Sequence, residues 1–142
     1  MSLYETDFYT WTQEQAALLK AGRLSELDVA GLIEEVEDMG RSERRELENR
    51  LEVLLTHLLK WRYQPKRKGK SWHLTIREQR WKVALCLQEN PSMKLSKYTF
   101  LANAYKSAVW QAARETKLDE SIFPIECPWT FEQVMNDEFW PD

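Results

Sequence analysis

The chain has 142 residues, 43% of them hydrophobic and 30% charged, with seven tryptophans, which is the make-up of a globular protein and not of a disordered one. No apolar run approaches the roughly 18 residues of a membrane span, and the start Met1-Ser2-Leu3-Tyr4-Glu5 lacks the basic and apolar regions of a signal peptide. The net charge of −3 conceals a polarised chain: residues 60–82 carry nine basic groups against Glu78, while residues 26–52 carry ten acids against four arginines.

Four glycines and five prolines leave long uninterrupted stretches with a helical apolar period. Tyr4, Phe8, Trp11 and Leu18 open the first of these, with Gln15 at the missing apolar position; Thr12 and Gln15 fit a capping box, which predicts a short turn before Thr12 and a helix after it. Gly22 suits the stop. Asp28 is the expected N-cap of a second helix, whose Val29, Leu32, Ile33, Val36 and Met39 form one stripe. Gly40 followed by Ser42 predicts an interruption and a change of direction, one long helix through Gly40 being the competing reading. Leu47, Leu51, Leu54, Leu58 and Trp61 then follow a 4-3-4-3 spacing, the strongest in the chain, and Glu37–Arg41 and Glu46–Arg50 are i,i+4 pairs in the favourable order.

Pro65 closes that region, and Lys66-Arg67-Lys68-Gly69-Lys70 reads as a solvated loop before a helix capped by Ser71 and ending near Glu89, ahead of Pro91. At 100° per residue this helix is apolar on two sides. Trp72, Ile76, Val83 and Leu87 gather on one and Leu74, Trp81 and Leu85 on the other, with His73, Arg77 and Arg80 between. Such a helix is sandwiched in a bundle or packed on a second subunit, so Leu74, Trp81 and Leu85 form the candidate interface. A last long helix, from about Met93 to Lys117, is expected to bury Leu95, Tyr98, Leu101, Ala102, Tyr105, Ala108, Val109 and Ala112, with Phe100 and Trp110 off the stripe. An apolar arm, Ile122 to Trp129, carries two prolines and should dock; Thr130 with Gln133 caps a short terminal helix ending near Phe139 and Trp140. The fold class is therefore all-α: one domain over residues 1–142, a helical bundle of four to five main helices with a proline-containing C-terminal arm.

Several runs resemble a bacterial family: Leu32-Ile33-Glu34-Glu35-Val36-Glu37-Asp38-Met39-Gly40-Arg41-Ser42-Glu43-Arg44-Arg45, Leu58-Leu59-Lys60-Trp61-Arg62-Tyr63-Gln64-Pro65, Ile76-Arg77-Glu78-Gln79-Arg80 after Ser71-Trp72, and Glu126-Cys127-Pro128-Trp129-Thr130. The opening Tyr4-Glu5-Thr6-Asp7-Phe8-Tyr9-Thr10-Trp11 looks like the same family's start. It is the domain of unknown function 29 family, abundant in cyanobacteria and found in proteobacteria, and the resemblance extends over essentially the whole chain. What it implies is an all-helical bundle of bacterial origin. It implies no activity.

The residues themselves name no reaction. His57 and His73 stand on different helices, no Glu-x-x-His or His-Glu-x-x-His spacing occurs, and neither a phosphate-cradling glycine loop nor a nucleophile elbow is present. His57, at the edge of the leucine stripe, reads as a boundary histidine bonded locally. Cys86 and Cys127 make neither a disulfide framework nor a metal-type pair, which fits a reduced, cytoplasmic protein. No catalytic, cofactor-binding or metal-ligating residue is assigned, no cofactor or small-molecule substrate is called for, and an enzyme is the least favoured class.

Two constellations remain. Glu34, Glu35, Glu37 and Asp38 form an acidic cluster, and Arg77 and Arg80, drawn inward between apolar faces, need carboxylates. The expectation is a structural salt bridge of Glu34 or Glu35 with Arg77 or Arg80. Lys66, Arg67, Lys68, Lys70, Arg77 and Arg80, interleaved with aromatics, are the candidate contacts to a polyanion or to an acidic partner. The favoured function is an interaction or regulatory protein acting through homo-oligomerisation or a protein partner; a regulatory nucleic-acid binder is the alternative, disfavoured by the acidic isoelectric point of about 5.5.

Overall fold

A computed structural model describes residues 2–142. The chain is all-helical, with no strand among the described residues: α1 (Leu3–Thr6), α2 (Phe8–Lys20), α3 (Val29–Tyr63), α4 (Lys70–Glu89), α5 (Lys97–Thr116) and α6 (Phe131–Met135), joined by short 3-10 turns. It divides into two compact units, Met1–Ser42 and Glu43–Asp142.

In the first unit, Asp7 caps α2 by accepting from the Thr10 amide at 3.1 Å, so the helix starts at Phe8 and not after Thr12. The aromatic spacing explains this. Helical phase from residue 8 brings Phe8 onto Trp11 at 5.6 Å between centroids, and Tyr4 from α1 meets Trp11 edge-on at 4.6 Å. Gly22, at φ +71°, turns the chain out of α2, with the Arg23 amide donating to Leu18 and that of Gly22 to Leu19. Asp28 caps α3 through the Gly31 amide at 3.0 Å, its other oxygen accepts from the Trp11 indole at 3.0 Å, and its own amide donates to Gln15 Oε1 at 2.8 Å. Gln15, the polar residue in an apolar stripe, is thus a buried acceptor for the cap of the next helix.

Helix α3 passes through Gly40 without a break, against the expected change of direction. A mid-helix glycine costs about 1 kcal/mol relative to alanine. The ion pairs Arg41–Glu37 at 3.8 Å, Arg41–Asp38, and Arg50–Glu46 at 2.8 Å lie on helical spacing on either side of it and favour continuation, each by a few tenths of a kcal/mol. In the stripe that precedes Gly40, Val29, Ile33, Val36 and Met39 are more than half exposed.

The core lies in the second unit. Leu47, Leu51, Leu54, Leu55, Leu58 and Leu59 of α3 are buried together with Ile76, Val83 and Leu87 of α4, Phe100, Leu101, Ala104, Tyr105, Ala108 and Ala112 of α5, and Phe123, Trp129, Phe131 and Val134 of the C-terminal segment. Truncating one such leucine to alanine costs about 2–5 kcal/mol. Helix α4 begins at Lys70 after Gly69 rather than at a Ser71 cap. Helix α5 begins at Lys97 because Pro91–Ser96 is a 3-10 turn, and that shifts the buried stripe. Phe100 and Ala104 face the core, whereas Leu95, Tyr98 and Ala102 are exposed, and the Tyr98 hydroxyl donates to Glu132. The arm docks on its own unit: Tyr105 donates to the Pro124 carbonyl at 2.7 Å, and Phe123 meets Tyr63 edge-on at 5.2 Å. The capping box of Thr130 and Gln133 forms as read, but α6 stops at Met135, short of Phe139.

Candidate protein-interaction face

Helix α4 buries one apolar side and leaves the other bare. Ile76, Val83 and Leu87 face the core, while Leu74 is 49% exposed, Trp81 64% and Leu85 37%. Leu74, Arg77, Trp81 and Ala84 border a groove of about 930 Å³ whose opposite wall is Met135, Asp137, Glu138 and Trp140 of the C-terminal segment.

Arg80 builds that wall. It is 2% exposed, donates Nε–H to the Val134 carbonyl at 2.8 Å and Nη2–H to the Phe139 carbonyl at 2.7 Å, and lies 5.3 Å from the centroid of the Trp140 ring. Trp140 in turn stacks on His73, with 4.4 Å between centroids and 5° between planes, and packs on Trp61 at 4.8 Å. One guanidinium therefore serves the C-terminal end of α6 and the chain beyond it, positions where a cation also meets the negative end of the backbone dipoles. Desolvation lowers the guanidinium pKa, and the charge of Asp137 acts against that shift. Arg80 Nη1 and the neighbouring Gln79 Oε1 are buried with no hydrogen-bond partner among the described residues.

These contacts revise one expectation. Arg80 is too buried to touch a polyanion and leaves the set of candidate contacts. Its partners are carbonyls of its own unit, and within the first unit Glu35 accepts from the Tyr4 hydroxyl. The reason is chemical. Chain ends and helix ends supply unpaired carbonyls that a buried guanidinium satisfies as well as a carboxylate does. The signal available in sequence was the aromatic-rich terminus Phe139-Trp140, which had to dock against something.

The basic segment is only partly free. Lys60 reaches Glu115 at 3.3 Å and the Trp72 ring at 4.8 Å, Lys82 pairs with Glu78 at 2.7 Å, Lys68 lies 5.1 Å from the Trp61 ring centroid, and Arg62 donates to the Asp142 carbonyl. Lys66, Arg67, Lys70 and Arg77 are exposed and make no ion pair among the described residues. His57 bonds locally, its Nδ1 lying 2.8 Å from the Val53 carbonyl, which sets the proton on that nitrogen. Burial pushes its pKa down, as does Lys60. Both cysteines are free and half-buried, and burial raises both thiols. Among the described residues no group of three His, Cys, Asp or Glu side chains is placed to hold a metal, and no helix is long and apolar enough to cross a membrane.

The first unit has an apolar face of its own. Leu27, Val29, Leu32, Ile33 and Val36, with Glu37, line a shallow groove of about 340 Å³. Charge divides with the units: Met1–Ser42 carries nine acids against three bases, Glu43–Asp142 seventeen bases against fourteen acids.

Neither the curated proteins nor the solved structures contain a match to this chain. Its sequence does match the family described as domain of unknown function DUF29, over residues 3–140 of 142. The chain belongs to the DUF29 family.

Proposed function

We propose that this chain is an interaction protein that associates with itself through the bare side of α4. The observation that carries the reading is Trp81, 64% exposed between Leu74 and Leu85 on the outer side of a 20-residue helix whose inner side is core. A large aromatic held on a rigid element, with apolar neighbours and an arginine beside it, has the composition of an interaction hot spot. The adjoining groove adds Arg77, Asp137 and Glu138 as a polar rim.

Light scattering coupled to size exclusion tests it. A dimer or larger species is expected at tens of micromolar, weakening as salt is raised from about 50 to 500 mM because the chain is polarised in charge. Trp81→Asp with Leu85→Asp should give a monomer of unchanged helicity. A sharply monomeric wild-type peak in low salt removes the reading.

A polyanion-binding reading draws on the exposed Lys66, Arg67, Lys70 and Arg77. It requires DNA or RNA to be retarded at about 50 mM salt, with a salt slope that flattens when these four are neutralised. No retardation of either ends it.

A further inference from the structure

We infer that the groove between α4 and the C-terminal segment binds a short peptide with free ends, its carboxylate toward Arg77 and Arg80 and its ammonium toward Asp137 and Glu138. The site goes beyond the self-association proposed above, needs no second copy, and lies wholly within the second unit.

Charge in this groove is divided between its two sides. On the α4 side, His73, Arg77 and Arg80 fall at i, i+4 and i+7 and so share one face of the helix. Glu78 on that side is engaged by Lys82 at 2.7 Å, whereas Arg77 is exposed and makes no ion pair among the described residues. On the other side Asp137 and Glu138 are exposed, and neither makes an ion pair among the described residues. A purely anionic ligand would meet the two acids, and a purely cationic one the two arginines. A ligand with one end of each sign satisfies both sides.

Arg80 is the observation that points to a ligand. Its side chain borders the groove yet is 2% exposed. Nε and Nη2 are committed to the Val134 and Phe139 carbonyls, and Nη1 is buried without a partner among the described residues. A buried guanidinium donor left unpaired is costly, and a carboxylate is the acceptor that suits it best.

Size sets the length of the ligand. The groove encloses about 930 Å³, near the upper end of small-molecule sites. In a free amino acid the ammonium and the carboxylate flank one carbon, about 3 Å apart, too close to serve two sides. Each further residue adds roughly 3.3–3.6 Å, so two or three residues place the ends about 6–10 Å apart. That is the order of the spacing between neighbouring packed elements. Leu74, Trp81, Ala84 and Met135 line the same groove and receive an apolar side chain between the charged ends.

The test titrates the full chain with the tripeptide Ala-Leu-Ala, followed by calorimetry and by the indole N–H signal of Trp81, identified through its loss in Trp81→Phe. Binding with a Kd below about 1 mM and a moving Trp81 signal are expected. Acetylating the amine or amidating the carboxylate should each weaken binding at least about tenfold. On Arg77→Gln the amide should lose less than it does on wild type, and on Asp137→Asn with Glu138→Gln the acetylated form should lose less; all three positions are exposed. A merely structural role would not move these differences. Leu85→Asp, which disrupts the association face and lies outside the groove, should bind as wild type does. No binding up to about 10 mM, a still Trp81 signal, or blocked peptides that bind as tightly as the free one would overturn the site. Free leucine binding as tightly as the tripeptide overturns the peptide, and loss of binding in Leu85→Asp overturns a site complete in one copy.

Discussion

Arg80 donates from Nε to the carbonyl of Val134 at 2.8 Å, a contact between the middle of α4 and the end of a helix 54 positions later. With the second donation to Phe139 it holds the C-terminal segment that walls the α4 groove. Arg80→Met keeps the volume and removes both donors. It should lower stability by about 2–3 kcal/mol, the loss of charge-assisted hydrogen bonds from a buried site, and make the chain after Met135 sensitive to protease. Arg80→Lys, which cannot span both carbonyls, should fall between. Urea unfolding and limited proteolysis read the two effects; a change within about 0.5 kcal/mol with an intact terminus would show that Arg80 is not the pin.

Two helical glycines should respond in opposite directions. A Cβ on Gly31 would lie 2.5 Å from Asp28 Oδ2 and 2.8 Å from Trp11 Cζ2. The carboxylate cannot swing aside freely, since its oxygens are bonded to the Trp11 indole and the Gly31 amide. Gly31→Ala should therefore cost about 1–3 kcal/mol. A Cβ on Gly40 meets nothing within 4 Å, so Gly40→Ala should stabilise by about 0.5–1 kcal/mol. Thermal melts of the two variants beside wild type decide this, and a shift of the same sign in both would contradict it.

His57 should make stability fall on mild acidification. Burial holds its pKa below the ordinary value of 6.5. As pH drops below that value the unfolded chain takes up the proton first, and each further step down to the lowered folded-state pKa favours unfolding. Stability contributed by the neutral imidazole is thus present above about pH 6.5 and lost below it. His57→Gln should flatten the dependence of unfolding free energy on pH between about 7 and 5.5. Parallel slopes for variant and wild type in urea titrations would refute the assignment.

The loop cations should contribute to association and not to folding. Lys66, Arg67 and Lys70 are exposed and outside any ion pair among the described residues. Replacing the three by glutamine should change unfolding free energy by no more than about 0.5 kcal/mol. The same variant should show a weaker salt dependence of self-association. A loss of several kcal/mol would reassign these residues to the structure.

Local chemistry is written in short range, and that part was legible in advance. The leucines of α3 follow a 4-3-4-3 spacing and are buried; Asp28, Gly22 and the Thr130–Gln133 box act where their side chains predict, because caps and turns involve atoms three or four residues apart. The all-helical class and the membership of the DUF29 family follow from that same one-dimensional pattern. Tertiary structure decided what periodicity leaves degenerate. An amphipathic stripe says that one side of a helix is apolar and not that anything covers it, and the stripe of Val29, Ile33 and Val36 lies outside. A 3-10 turn at Pro91–Ser96 moved the phase of α5 and exchanged Phe100 for Tyr98 in the core. Gly40 was a break by propensity and became part of a 35-residue helix, since about 1 kcal/mol of local preference is small against the rest of that helix. Arg80 needed a partner by its position between two apolar faces, but only the folded chain brought it the carbonyls of Val134 and Phe139, more than fifty residues away.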